Sequence, residues 1–229
     1  MKMVALAALC AVAGAASAQT TYTDSQNELF NNGLGHLDFT SVVVNHDASN
    51  LYFTINLRSS AIDTNWGKYC IGINTAGSSV NSVGNGWGRN VSWGSGQGID
   101  YWIGTWADGP GFGGEIRQMT DSAGNGNSLI SATYLPGPTI SGNVGGTAIT
   151  ITLSRASLGL IGDQSFTFDV ISTGSNFDPG VDHLSRSDSS TSDWGVQSTA
   201  GQFLTYTIPT PGSMALLGLA GLVAGRRRR

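Results

Sequence analysis

Residues 51–57 read Leu51-Tyr52-Phe53-Thr54-Ile55-Asn56-Leu57, with an apolar side chain at every second position. Successive side chains of a β-strand point to opposite faces, so this stretch predicts a strand with one buried face. Residues 148–153 and 166–170 alternate in the same way. Further strand candidates, separated by breaks rich in Gly, Asn, Asp and Ser, are residues 37–44, 69–74, 99–106, 114–119, 129–134 and 202–208.

Strands with one apolar face each must cover that face with a second sheet. The sequence therefore predicts an all-β, two-sheet β-sandwich with a jelly-roll-like strand order over residues 19–208. A closed barrel is the alternative. Helical periodicity is nearly absent in this part, apart from one short helix predicted at residues 154–159. The sequence has no internal repeat of fixed period, so it does not predict a propeller or a β-helix.

The N-terminus has the pattern of a secretory signal peptide over residues 1–18. Lys2 gives a basic start, residues 4–16 form an apolar run, and Ala16-Ser17-Ala18 is a small-x-small cleavage site. The apolar run is too short to span a bilayer. Cleavage is predicted between Ala18 and Gln19, and an uncleaved anchor is the alternative.

The C-terminus predicts a short membrane helix. Residues 213–225 carry no charge and follow two prolines. Thirteen helical residues at about 1.5 Å each reach roughly 20 Å, against a hydrocarbon core of about 30 Å, so the span is marginal. The terminal arginines favour the cytoplasmic side, which leaves residues 19–208 outside. The residues of this signal are Pro209, Thr210, Pro211, Arg226, Arg227, Arg228 and Arg229.

Residues 209–229 resemble the PEP-CTERM sorting signal: a Pro-x-Pro motif, a short apolar helix and a terminal arginine cluster, in that order. Thr210 stands where the family has glutamate. The resemblance implies processing by an exosortase-like membrane protease, transient tethering through the tail, and delivery to the cell surface, outer envelope or extracellular matrix. A plain C-terminal membrane anchor is the alternative.

The charge of the predicted mature domain limits its partners. Residues 19–208 hold fifteen acidic and six basic residues, a net charge of −9. This balance argues against a nucleic-acid partner and against binding to anionic membrane surfaces. Cys70 is the single cysteine of this part, so an internal disulfide is impossible, and its place in a strand pattern predicts a buried thiol.

A second resemblance covers roughly residues 24–208. It is carried by residues 37–53 with their Asp-Ala-Ser-Asn break, by residues 147–159, and by Phe166-Thr167-Phe168-Asp169-Val170. Together these stretches look like the family 9 carbohydrate-binding modules and the related DOMON-like sandwiches. The resemblance implies a glycan-binding module, and some members of these families hold structural calcium.

Tryptophans are concentrated between residues 66 and 106, which suggests a polysaccharide site. Trp102 and Trp106 share one strand face with Asp100, and Gly104 between them leaves a slot with a backbone floor. In the Gly-rich loop 75–98, an arginine is a candidate for sugar hydroxyls or for a structural salt bridge. The alternative is that these indoles pack under that loop as a satellite core. The candidate glycan residues are Trp87, Arg89, Trp93, Asp100, Trp102 and Trp106.

Asp178, Asp182 and Asp188 lie in a second long break and are candidate ligands for Ca²⁺, which takes six to eight hard oxygen ligands. Their spacing fits no EF-hand, and Asx-turns are the alternative. No zinc motif or nucleophile elbow is present in the sequence. We therefore expect a non-enzymatic binding module, with a ligand-free structural constituent of the envelope or matrix as the alternative. A glycan-acting enzyme using Asp100 and Glu115 comes third.

Overall fold

The computed structural model describes residues 19–62, 66–108, 111–162 and 164–208, and these form an all-β sandwich of two antiparallel sheets. The strands are β1 (Thr20–Thr23), β2 (Phe39–His46), β3 (Asn50–Leu57), β4 (Lys68–Thr75), β5 (Val91–Ser92), β6 (Tyr101–Trp106), β7 (Gly113–Met119), β8 (Asn127–Ala132), β9 (Ile140–Gly145), β10 (Ala148–Ser154), β11 (Ser165–Thr173), β12 (Asp182–His183), β13 (Ser198–Thr199) and β14 (Leu204–Thr207).

The first sheet has the strand order β1-β2-β3-β10-β9. The second has the order β12-β11-β4-β6-β7-β8, and β14 also pairs with β11. The chain therefore crosses between sheets after β3, after β8 and after β10. β5 and β13 form a short parallel pair outside these two sheets.

The β2–β3 hairpin is built as its alternation predicts. Val42 and Val44 lie opposite Ile55 and Phe53, and all four are buried. Asp47 closes the turn, because its Oδ1 accepts the N–H groups of Ser49 and Asn50 at 2.7 Å each. Such Asx turns satisfy backbone donors that a tight reversal would otherwise leave unpaired.

The main core lies between the two sheets. Phe53 from β3 meets Phe168 from β11 edge to face, with ring centroids 5.6 Å apart. The helix predicted at residues 154–159 is a single 3₁₀ turn at Ala156–Leu158, ended by Gly159 in the left-handed region. Its Leu158 is buried in the same core.

A second core covers the opposite face of the second sheet. Along β4, Tyr69, Ile71 and Ile73 enter the main core, whereas Cys70 faces the other way. The second core contains Cys70, Val91, Trp93, Ile99, Trp102, Met119, Ile171, Ala200 and Phe203. Loop 76–98 and the segment before β14 supply its cover, so both faces of this sheet are buried around β4 and β6.

The two predicted ends lie outside the described residues. These ends are the predicted signal peptide up to Ala18 and the predicted tail from Pro209 to Arg229. Gln19 is the first residue described. Within the described ranges, no helix has the length and apolar character needed to cross a membrane.

Candidate functional site

The slot predicted between Trp102 and Trp106 is filled by the protein itself. The indole of Trp87, from the covering loop, lies against the backbone of Gly104, and a Cβ at position 104 would overlap its ring. The Trp87 ring centroid is 5.8 Å from that of Trp102 and 6.1 Å from that of Trp106. The floor that Gly104 leaves bare therefore seats an indole, and no sugar can occupy it in this conformation.

Trp93 and Trp102 are core residues, as the alternative of a satellite core predicts. Trp102 is 0% exposed and Trp93 is 1% exposed. Trp93 lies over Gly72, where a Cβ would come within 3.0 Å of its ring, and its Nε1 donates to the carbonyl of Gly84 at 2.9 Å. Neither indole offers a face to a ligand from solvent.

The two carboxylates considered for hydrolysis have structural partners. Asp100 is buried and accepts the N–H of Thr75 at 2.7 Å and that of Asn81 at 3.2 Å. Glu115 accepts hydrogen bonds from Trp87 Nε1, from Arg117 and from the Tyr134 hydroxyl. Burial by itself would raise the pKa of Glu115, but the hydrogen bonds from Arg117 and Trp87 lower it below its usual value.

The structure contains a Ser-His-Asp arrangement that no sequence motif predicts. His183 Nδ1 is 2.7 Å from Asp169 Oδ2, and His183 Nε2 is 3.0 Å from Ser198 Oγ. All three residues are fully buried, and Ser198 Oγ also accepts the N–H of Gly180 at 2.9 Å. A nucleophile needs space for a substrate carbonyl beside it. Here the close packing of Gly180 against the His183 ring leaves none.

Arg89 is the predicted glycan residue that lies beside open space. Its guanidinium carbon is 5.3 Å from the Trp87 ring centroid, and its Nη1 donates to the carbonyl of Asn176. Its Nε is buried and has no hydrogen-bond partner among the described residues. Burial lowers the pKa of Arg89. The salt bridge considered from the sequence is not present among the described ion pairs.

A cleft of about 540 Å³ opens beside Arg89. The loop after Asn85 forms one side, and the loops after β11 and before β13 form the other. Its lining residues are Gly88, Arg89, Asn90, Asn176, Phe177, Asp178, Trp194 and Gly195.

Aromatic and polar groups are combined in this cleft. Phe177 is 75% exposed. Trp194 is half-buried and held edge-on by Phe30 at 5.4 Å and Trp66 at 5.9 Å between ring centroids. Asn90 and Asn176 add amides, so the cleft offers flat apolar faces beside hydrogen-bonding groups, a combination typical of small polar ligands.

The three predicted calcium ligands lie in different surroundings. Asp178 accepts the N–H of Ser175 at 2.7 Å, which makes a local turn. Asp188 is exposed and pairs with Arg186 at 2.7 Å. Asp182 is buried and accepts the N–H of Phe39 at 2.7 Å. The predicted trio is not among the metal-capable groups of the described residues, where Asp182 instead joins Asp24 and Glu28.

The group around Asp182 is a strongly acidic site that sequence spacing does not reveal. One carboxylate oxygen from each of Asp24, Glu28 and Asp182 lies within 4.8 Å of the others. Burial, opposed by a backbone hydrogen bond and reinforced by the charge of Glu28, raises the pKa of Asp24 to about 8. Burial and then the charge of Asp24 raise the pKa of Asp182. Asp24 and Glu28 come from the loop after β1, about 150 residues from Asp182, so only tertiary folding brings them together.

In comparisons with known proteins, no family model, curated protein or solved structure matches the chain.

Proposed function

We propose that this chain is an exported, non-enzymatic glycan-binding module, and that its ligand site is the cleft between residues 88–90, 176–178 and 194–195. The observation that carries the proposal is the ring of Phe177, 75% exposed, in a cleft that Arg89, Trp194 and two asparagines also line. Sugars bind through C–H faces on aromatic rings and through hydroxyls on fixed polar groups.

The proposed site moves the polysaccharide contact away from the residues chosen by strand alternation. Arg89 is retained, whereas Phe177 and Trp194 replace Trp102 and Trp106 as the aromatic surfaces. Trp87 supports the site indirectly, because its ring lies beneath the Arg89 guanidinium. A jelly-roll-like strand order and a relation to family 9 carbohydrate-binding or DOMON-like domains remain part of this proposal.

The export and tethering part of the proposal rests on the sequence of the two ends. A signal peptide cleaved before Gln19 and an exosortase-handled tail from Pro209 would present residues 19–208 at the cell surface or in the extracellular matrix. The acidic surface of the domain suits a neutral or cationic polysaccharide better than an anionic one, because like charges repel.

The test is a glycan array with a polysaccharide pull-down, run on the exported protein with Ca²⁺ and with a chelator. Saturable binding that is lost in Phe177→Ala supports the cleft. Binding that survives Phe177→Ala but depends on another surface contradicts the assignment of the site.

The alternative function is a structural constituent of the envelope or matrix without a ligand. It is favoured by the burial of Trp93 and Trp102, since the tryptophan cluster already has a packing role. A folded protein that binds nothing across a broad glycan panel would select this alternative.

A further inference from the structure

The first loop of the domain and the edge of the second sheet meet at four carboxylates. Asp24 and Glu28 lie in the loop between β1 and β2, Asp38 immediately precedes β2, and Asp182 begins β12. An ion that binds two oxygens at about 2.4 Å holds them no more than about 4.8 Å apart. The ligand atoms of Asp24, Glu28 and Asp182 meet this limit for every pair.

The second observation is a set of buried oxygens that lack a partner. Asp38 is 0% exposed, and its Oδ2 accepts hydrogen bonds from Asn27 N at 3.0 Å and Arg58 Nε at 2.6 Å. Its Oδ1 has no partner within the described ranges, and the same holds for Asp24 Oδ2 and both carboxylate oxygens of Glu28. Buried carboxylate oxygens without donors cost free energy unless a proton or a cation satisfies them.

The charges at this place point to a cation. Among the described ion pairs, the guanidinium of Arg58 is the cation bound to a carboxylate of this group, Asp38. The charge of Asp38 contributes to raising the pKa of Asp24, Glu28 and Asp182, after the larger effect of burial, so Asp38 lies close enough to act on all three. The group thus has a deficit of positive charge that a divalent ion would remove.

We propose that Asp24, Glu28 and Asp182, with Asp38 beside them, form a calcium site that fastens the first loop to the edge of the second sheet. All the donors are oxygens, which hard cations prefer, and the cluster contains no thiolate or imidazole that would favour zinc. Ca²⁺ suits the site better than Mg²⁺, because Ca²⁺ accepts irregular sets of carboxylates and needs no ideal octahedron.

The position of the site gives the ion a structural role. Among the described residues, hydrogen bonds also fasten this segment to the second sheet. They run from Phe39 N to Asp182 Oδ2 at 2.7 Å, from Ser172 Oγ to the carbonyl of Leu37 at 2.6 Å, and from the Tyr69 hydroxyl to the carbonyl of His36 at 2.7 Å. The ion would bind two residues of the loop to a residue of β12 and so hold the first sheet to the second. This site is separate from the proposed glycan cleft and does not depend on it.

The experiment is a calcium titration of the chelator-treated protein, followed by thermal unfolding and by isothermal calorimetry. We expect a single-site isotherm and an unfolding midpoint that rises with the logarithm of free Ca²⁺. Mg²⁺ at the same concentrations should raise the midpoint less. A midpoint that does not change up to about 10 mM Ca²⁺, above the affinities of about 10⁻⁴–10⁻³ M typical of extracellular modules, would overturn the proposal.

Variants separate this site from other acidic residues. Glu28→Gln and Asp24→Asn keep the shape of the side chains but remove charge, so both should abolish the response to Ca²⁺, while the metal-free midpoint stays equal or rises. Asp188→Asn is the matched control, because Asp188 is exposed and outside the cluster. It should keep the full response. A response lost in Asp188→Asn but kept in Glu28→Gln would place the ion elsewhere and refute the assignment.

Discussion

The indole of Trp87 packs so closely against the backbone of Gly104 that any side chain at position 104 would overlap it. This contact joins the covering loop to the middle of β6, and it explains why a glycine interrupts the pattern of that strand. Trp87 is held in turn by Glu115, which accepts its Nε1–H. The loop, the strand and a buried carboxylate therefore form one packed unit on the outer face of the second sheet.

Gly104→Ala should destabilise the protein by about 1–3 kcal/mol, because the added methyl group displaces the Trp87 ring from a well-packed layer. Urea unfolding measures the change. Gly77→Ala is the control, since a Cβ at position 77 meets no atom within 4 Å. It should leave the free energy of unfolding within about 0.5 kcal/mol of the wild type. Equal stability of the two variants would show that Trp87 does not occupy this position in solution.

Trp102→Ala should lower the free energy of unfolding by about 3–5 kcal/mol, the range for removing a buried large aromatic side chain. The physical reason is the loss of a fully buried indole that contacts both Trp87 and Trp93. Chemical denaturation measures the change in the free energy of unfolding. Leu129→Ala, which truncates a partly exposed residue, is the control. A stable Trp102→Ala variant with altered glycan binding would restore the role that strand alternation suggests for Trp102.

Strand alternation predicts much of the fold, because a strand that is buried on one face has apolar residues at every second position of its sequence. The runs at residues 37–44, 69–74 and 148–153 overlap β2, β4 and β10. β9 is not predicted, since Gly142 and Asn143 interrupt it and its central residues are exposed at the edge of the first sheet. Its strand character comes from pairing with β10, which a local pattern cannot show.

The sites are harder to predict from the sequence, because they depend on which residues from distant parts of the chain contact each candidate side chain. Alternation correctly places Trp102 and Gly104 on one face of β6, but it cannot tell that Trp87 from the loop covers them. The chemistry of Asp182 makes it a candidate calcium ligand in the sequence, whereas its neighbours in the acidic cluster, Asp24 and Glu28, are distant in the chain. Proximity along the sequence favours Asp178 and Asp188 as further ligands, but in the structure both have local hydrogen-bond partners instead.

The stability of the domain should depend on the protonation of His46. Burial, and then the positive charge of Arg155, lower the pKa of His46 from its usual 6.5. The unfolded chain then binds a proton more readily than the folded one, so the stability from neutral His46 is present above pH 6.5 and is lost as the pH falls towards the lower folded pKa.

The measurement for His46 is the free energy of unfolding of the wild type and of His46→Gln, between about pH 8 and about pH 5. Arg155, Asp47 and Tyr206 surround the imidazole and are unchanged in the variant. The difference in stability between the two proteins should shrink towards acid pH. A difference that stays constant across this range would contradict the lowered pKa.

Deleting Arg226 to Arg229 should release the protein into the medium or misorient it, because the positive charges hold the predicted tail on the cytoplasmic side. Fractionation of cells and medium, with a surface-accessibility assay, measures the effect. Replacing the four arginines by lysines is the matched control and should preserve surface retention if charge is what counts. Unchanged retention after the deletion would remove the sorting-tail proposal.

Phe177→Ala should weaken glycan binding by about 1–3 kcal/mol, the scale for removing one stacking aromatic at a binding site. Since the ring is 75% exposed, its loss should change the free energy of unfolding by no more than about 0.5 kcal/mol. Ile161→Ala is the matched control, because Ile161 is equally exposed at 75% but does not line the cleft. It should alter neither quantity. Affinity gels or calorimetry against the best glycan of the array give the comparison, and equal losses in both variants would show that general surface hydrophobicity, and not the cleft, is responsible.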